Sequence, residues 1–197
     1  EMTEYKSCGG SLNWLANKTR CDLAAAASLL QKGSPTLEDL REMYKMVSYA
    51  QEHADVGITL NPVPWHIMII VDITDSSWAN AEDLKSQMGF FVLATTFKAL
   101  STGAYGSILE YKSFRSKRSL KSTLAAEAAA KDSGVDHAVY LNAFLSELLT
   151  GVRAKDQEPL FQHFSVTDCK CLYDALRQAT PSLTEKRTII DLTDTRD

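Results

Sequence analysis

The chain changes its hydrophobic rhythm once, around residues 57–64, and that change constrains its fold more than any other feature. Upstream, apolar residues recur every three or four positions, as an amphipathic helix requires. Downstream, the first apolar stretch (residues 66–74, HIMIIVDIT) is short, continuous and β-branched, as expected for a strand buried on both faces. Gly57 and Asn61-Pro62-Val63-Pro64 lie between the two patterns and break helix. We therefore divide the chain into a helical piece, residues 1–56, and an α/β domain, residues 57–197. A length of 197 residues allows one domain with a small appendage, or two small domains, and is enough to bury a real core.

In the first piece, residues 11–32 are rich in alanine and leucine and end at Gly33. Leu12, Leu15, Leu23, Ala26, Leu29 and Leu30 mark one helical face, with Asn17-Lys18-Thr19-Arg20 as a potential interruption. After the Ser34-Pro35-Thr36 turn, Thr36 and Asp39 read as a capping box with Asp in place of Glu. Leu37, Leu40, Met43 and Ala50 carry the helix on, so the piece is a helical hairpin. In the second piece, strands are expected at 66–74, 88–96 and 105–111, a long helix at 122–150 with a kink at Gly134, a strand at 164–167, and helices at 172–179 and 185–193. The order βββαβαα is no βαβ repeat, which disfavours a doubly wound nucleotide-binding fold. A mixed sheet fits better, with three antiparallel strands and a parallel one reached through a helix.

Three acidic residues sit where these elements end or begin. Asp75 follows the first strand, Glu127 lies in the first turns of the long helix, and Asp168 follows the 164–167 strand. If those two strands are parallel neighbours, both aspartates emerge at one edge of the sheet, and the helix across it brings Glu127 beside them. Clustered carboxylates repel unless cations neutralise them, and their natural occupants are hard divalent ions, Mg²⁺ or Mn²⁺. Two such ions about 4 Å apart serve phosphodiester hydrolysis. Asp72 falls on the opposite strand face from Asp75 and is left out of the set. His163 stands just before the 164–167 strand and is the one histidine placed to carry a proton there. Trp14, Trp65 and Trp78 are expected to be packing residues.

The residues around these acids resemble a known family. Thr74-Asp75-Ser76-Ser77-Trp78-Ala79-Asn80 is similar to the TDAS(W/F)AN motif of copia-type retrotransposon ribonuclease H domains, and Ser86-Gln87-Met88-Gly89-Phe90 to their SQxGF. Lys121-Ser122-Thr123-Leu124-Ala125-Ala126-Glu127-Ala128 resembles their (R/K)SSLAAEA, and Val166-Thr167-Asp168-Cys169-Lys170 their VTD(C/S)K. Glu185-Lys186-Arg187-Thr188-Ile189-Ile190-Asp191 resembles a KRxxID helix. Upstream, residues 10–16 (GSLNWLA) and Thr19-Arg20-Cys21-Asp22 resemble the GSLxWLA and TRPD elements of the reverse transcriptase's thumb-like helices, with Cys21 in place of proline. These motifs span nearly the whole chain in the family's order.

The resemblance implies a copia-type (pseudovirus-like) Pol polyprotein segment: thumb helices followed by a ribonuclease H-like domain. It further implies Asp75, Glu127 and Asp168 as metal ligands and catalytic residues, an RNA–DNA hybrid as substrate, and the rest of the polyprotein as partner. A cytoplasmic, virus-like particle or nuclear setting follows from it. The family's fourth carboxylate comes from an ADxLTK-like segment after one more strand. That strand, the segment and a last helix are expected beyond Asp197, which makes the domain C-terminally truncated and its isolated activity weak.

Formal net charge is -4, which argues against coating nucleic acid by bulk charge but leaves local basic patches open. One such patch is Lys112, Arg115, Lys117, Arg118 and Lys121, interleaved with Phe114 and free of acids. It reads either as a solvated face or as a grip on the phosphates of a hybrid. Ser76 and Ser77, beside Asp75, are candidates to approach the RNA backbone. The four cysteines carry no disulfide framework, and the Cys169-x-Cys171 pair lacks the second pair that a zinc site needs. No apolar run approaches the roughly 20 residues of a membrane span, so no membrane partner is expected. Two other readings stay open on the residues: an inactive ribonuclease H-fold connector, and an unrelated α/β interaction domain. The last would hold the three carboxyl groups more than about 10 Å apart, too far for paired metals.

Overall fold

A computed structural model describes residues 2–81, 84–177 and 188–189. Helix α1 spans Met2–Lys18, α2 spans Ala24–Leu29 and α3 spans Leu37–Glu52. The expected hairpin is thus three helices, because the chain turns at Thr19 and Arg20 and helix α1 reaches back to Met2. Arg20, 4% exposed, explains that turn. Its guanidinium grips Asp22 through two hydrogen bonds of 2.9 and 2.8 Å and donates to the carbonyls of Ala50 and His53 at the end of α3. The carbonyls left over at a helix C-terminus gain a buried cation in this way. Thr36 and Asp39 form the capping box that opens α3. Tyr5, Leu12, Ala16, Leu23, Ala27, Leu30 and Met43 make a core of their own, and the Tyr5 hydroxyl donates to the Leu30 carbonyl.

The second part is a mixed α/β arrangement around a four-stranded sheet of order β3-β2-β1-β4. Its strands are β1 (Met68–Ser77), β2 (Lys85–Thr96), β3 (Ser107–Ser119) and β4 (Gln162–Val166). Neighbours β1 and β2, and β2 and β3, are antiparallel, while β4 lies parallel to β1. Helix α4 (Thr123–Thr150) supplies the crossover between β3 and β4, and α5 (Lys170–Leu176) follows β4. The anticipated mixed sheet is present, but its strands outrun their apolar segments. β1 continues through Ser77, and β3 includes all but Lys121 of the basic run that the sequence left outside a strand. β3 is an edge strand, where charged residues are tolerated and discourage further pairing. The helix expected at 185–193 lies outside the described residues, save Thr188 and Ile189. Among the described residues no helix is long and apolar enough to cross a membrane.

Helix α4 runs through Gly134 without interruption, so no kink forms there. Its buried side is built from Ala125, Ala126, Ala128, Ala130, Gly134 and Ala138, with Asn142 and Ser146 further along. Val139, Phe144 and Leu148, among the larger apolar residues of this helix, are exposed. Small side chains let the helix axis approach the sheet, and the larger apolar ones are then left on the outer face. A Cβ on Gly134 would lie 2.4 Å from Thr74 Cγ2, a distance that shows how close helix and strand are. Ser122 caps the helix by accepting from the Ala125 amide, and Gly151, at φ 70°, ends it in the left-handed conformation glycine favours. Ile70, Phe90, Val92, Ala94, Ala138 and Phe161 form the core between α4 and the sheet.

The helical piece touches the sheet's other face through specific polar contacts. Tyr111 donates to the Ala16 carbonyl at 2.6 Å, and Gln87 Nε2 donates to Ser28 and Ser113 at 2.9 and 2.8 Å. The linker is also fixed: Asn61 bonds Ser107 Oγ through its amide and the Gly106 carbonyl through its side chain.

Candidate metal centre

The parallel pairing of β1 with β4 ends at Ile73 opposite Val166, and both chains run on past that point at the same sheet edge. Asp75 lies two residues beyond Ile73, and Asp168 two beyond Val166. Glu127 is in the second turn of α4, on the alanine-rich side that packs over β1. One ligand atom from each of Asp75, Glu127 and Asp168 lies within 4.8 Å of the others. Asp75 and Asp168 are exposed, while Glu127 is 8% exposed, so the cluster has a buried floor and an open mouth. The separation required by the unrelated-domain reading is not found.

Ser76 fixes two of the three acids. Its amide donates to Asp75 Oδ1 at 2.7 Å, and its hydroxyl donates to Glu127 Oε1 at 2.8 Å. The other Glu127 oxygen, Oε2, is buried without a hydrogen-bond partner among the described residues. Burial, more than anything else, raises the Glu127 carboxyl above its ordinary range; the Ser76 hydroxyl opposes this, and the charges of Asp75 and Asp168 add to it. A buried, partnerless oxygen on a carboxylate that lies beside two further carboxylates is costly unless a cation meets it. An all-oxygen, all-acidic donor set suits Mg²⁺ or Mn²⁺ rather than a metal that prefers thiolate or imidazole. These residues fit such an ion.

The other expected site residues are dispersed. Ser77 is exposed at the end of β1. Within β3, strand alternation divides the basic run: Arg115 donates to the Gln31 carbonyl on the helical piece, while Lys112 places its ammonium 5.2 Å from the Phe114 ring centroid. Lys117 and Arg118 are exposed near the end of β3, and Lys121 is exposed between β3 and α4. A cavity of about 340 Å³ lies beside Asp75, between α2 and the sheet, with Ile73, Phe91, Tyr111 and Lys112 in its lining.

His163 is engaged away from the three acids, with its Nε2 2.7 Å from Asp72 Oδ1. Asp72, set aside in the sequence, is fully buried and also accepts from Ser165 Oγ at 2.6 Å and from Lys131 Nζ at 3.2 Å. Burial lowers the Lys131 ammonium from its ordinary value, and Asp72 counters that shift. The sequence signal for this pair was slight: a lysine one helical turn after Glu127, inside an alanine-rich face. Trp14, Trp65 and Trp78 are all exposed and not the packing residues they were expected to be, although Trp78 donates to the Leu120 carbonyl. Among the described residues, Asp75, Glu127 and Asp168 are the group placed to hold a metal, and Cys169 and Cys171 join no such group.

No protein-family model matches the chain, and no curated protein matches its sequence. Among solved structures, a foamy viral protease–reverse transcriptase in complex with RNA/DNA hybrid matches over 86% of this chain at 12% identity, with a TM-score of 0.41. The chain spans 23% of that protein's length. A likeness of this size assigns neither family nor activity.

Proposed function

We propose that the chain carries a ribonuclease H-type, metal-dependent endonuclease that hydrolyses the RNA strand of RNA–DNA hybrids within a copia-type retrotransposon polyprotein. The observation behind this reading is the cluster of Asp75, Glu127 and Asp168 within 4.8 Å, with one buried Glu127 oxygen left without a partner. Asp75, Glu127 and Asp168 are the residues that would hold Mg²⁺ or Mn²⁺. Divalent cations bound there supply charge neutralisation, an acidified water and stabilisation of the leaving oxygen. Ser76 keeps Asp75 and Glu127 in register while leaving Glu127 Oε2 free for a ligand. Ser76 and Ser77 stand where the RNA backbone would pass. Of the basic run, the exposed Lys112, Lys117, Arg118 and Lys121 would contact phosphates, which orient a hybrid without reading its sequence, while Arg115 is held by the Gln31 carbonyl. In this reading residues 1–56 are the thumb-like end of the reverse transcriptase and residues 57–197 the nuclease domain, working beside the rest of the polyprotein in a virus-like particle.

The test is cleavage of an end-labelled RNA–DNA hybrid in Mg²⁺, using this chain and a longer one that continues past Asp197. Cleavage of the RNA strand alone, lost in Asp75→Asn, is the expected result. A folded protein that binds hybrid and leaves it intact in both forms would overturn the nuclease reading and leave an inactive connector.

A further inference from the structure

We infer that Lys131 is a positioning residue that sets the spacing of the three carboxylates, through a buried link to Asp72 and to the end of β4. The inference rests on the metal-site reading above and adds the device that maintains it. Lys131 is 2% exposed and Asp72 fully buried. The ammonium donates to Asp72 Oδ2 at 3.2 Å and to the Val166 carbonyl at 3.0 Å. Each of its attachments lies just behind one of the acids. Lys131 follows Glu127 by one turn of α4, so the two share a helix face. Asp72 precedes Asp75 by three residues on β1, and Val166 precedes Asp168 by two. One cation thus joins the three elements that carry the cluster. Asp72 in turn holds β4 a second time, through His163 Nε2 at 2.7 Å and Ser165 Oγ at 2.6 Å.

Stability alone is a poor reason for this arrangement. Removing two charges from water costs much of what their attraction returns, and apolar residues of equal volume often serve as well. What an apolar pair cannot supply is direction: an ammonium fixes the carboxylate of one strand and the carbonyl of another at set distances. Groups that orient metal ligands without touching the metal commonly control affinity by about 10- to 100-fold.

The test replaces both charges at once, Lys131→Met with Asp72→Asn, so that no unpaired charge stays buried. Mn²⁺ is titrated calorimetrically into the full chain, and amide exchange is followed in metal-free protein. We expect Mn²⁺ to bind about tenfold more weakly or worse, and the amides of Ser76 and Asp168 to exchange faster while those pairing β2 with β3 stay unchanged. A folded double variant that binds Mn²⁺ like the unsubstituted chain overturns the inference. Faster exchange throughout the sheet with unaltered affinity does so too, since that is a plain stability role. Should the double variant not fold, His163→Ala loosens Asp72 from β4 without stranding a charge. It should weaken Mn²⁺ binding at least about twofold, and unaltered binding counts against the inference. Failure of the metal reading looks different: the unsubstituted chain would bind no Mn²⁺, or Asp75→Asn would bind it equally well. Positioning is then judged by exchange alone, and equal rates at Ser76 and Asp168 overturn it.

Discussion

Glu127 is the costly member of the cluster, because it has a buried oxygen that nothing among the described residues satisfies. Its folded-state carboxyl holds a proton more tightly than the unfolded one, chiefly through burial. The folded state therefore binds more protons, and stability falls as pH rises from the ordinary value of 4.5 through the raised one. Glu127→Gln removes the charge and keeps the shape. In metal-free buffer at neutral pH it should raise the melting temperature by roughly 2–4 °C, the equivalent of about 1 kcal/mol; saturating Mg²⁺ should reverse the order. A melting curve in chelator and another in Mg²⁺ check both halves. The positions of Asp75, Glu127 and Asp168 were legible in the sequence because each stands at the end or start of an element, where backbone pairing stops and side chains turn outward. Ser76 was legible only as a neighbour, and its bond to Glu127 spans 51 residues, a separation no local pattern encodes. Lys131 and Asp72 were hidden for another reason: a single lysine in a helix ordinarily belongs to the solvated face.

At the scale of elements, α4 shows how a pattern of hydrophobicity can mislead. Its larger apolar residues Val139, Phe144 and Leu148 are exposed, because closeness to the sheet selects alanine and glycine for the buried face. Gly134→Ala gives a direct check. Helix propensity favours alanine by about 1 kcal/mol, but the new methyl would meet Thr74 Cγ2 at 2.4 Å and Phe90 Cβ at 3.4 Å. Overpacking of this kind costs about 1–3 kcal/mol, so a net loss in denaturant stability is expected, and a gain would show that the helix can lift from β1 freely. Helix α3 is the opposite case, since Thr36 and Asp39 announced their capping box in the sequence. Thr36→Ala should cost about 1 kcal/mol. The hydrogen bond from Lys32, and then those from Thr36, hold the Asp39 carboxyl down at about 2. That stabilisation is complete above the ordinary value of 3.8 and is lost as pH falls through about 2. An acid titration of Asp39→Asn should accordingly lie below the unsubstituted curve at neutral pH and converge with it at the acid end. Strand β3 was cut short in the sequence reading because an exposed edge strand needs no apolar alternation, and its basic half resembled a loop.

For the molecule as a whole, the buried apolar clusters lie on either side of residues 57–64. What the rhythm could not convey is that the helical piece also leans on the sheet through polar bonds. Tyr111 reaches the Ala16 carbonyl at 2.6 Å, and Arg115 reaches that of Gln31 at 3.3 Å. Tyr111→Phe should cost about 1 kcal/mol, read as a lower urea midpoint with an unchanged slope, and no loss would mean that the two parts hold together without it. The same contacts place α2 beside Asp75, so the helical piece forms one wall of the cleft at the proposed centre. Everything assigned to that centre depends on Asp75, Glu127 and Asp168 sharing one ion. Anomalous diffraction from crystals soaked in Mn²⁺ measures this most directly. The account requires a peak at roughly 2.0–2.6 Å, the range of oxygen ligands, from a carboxylate oxygen of each of the three acids. A peak held by one acid alone, or none in a well-ordered crystal, would contradict it.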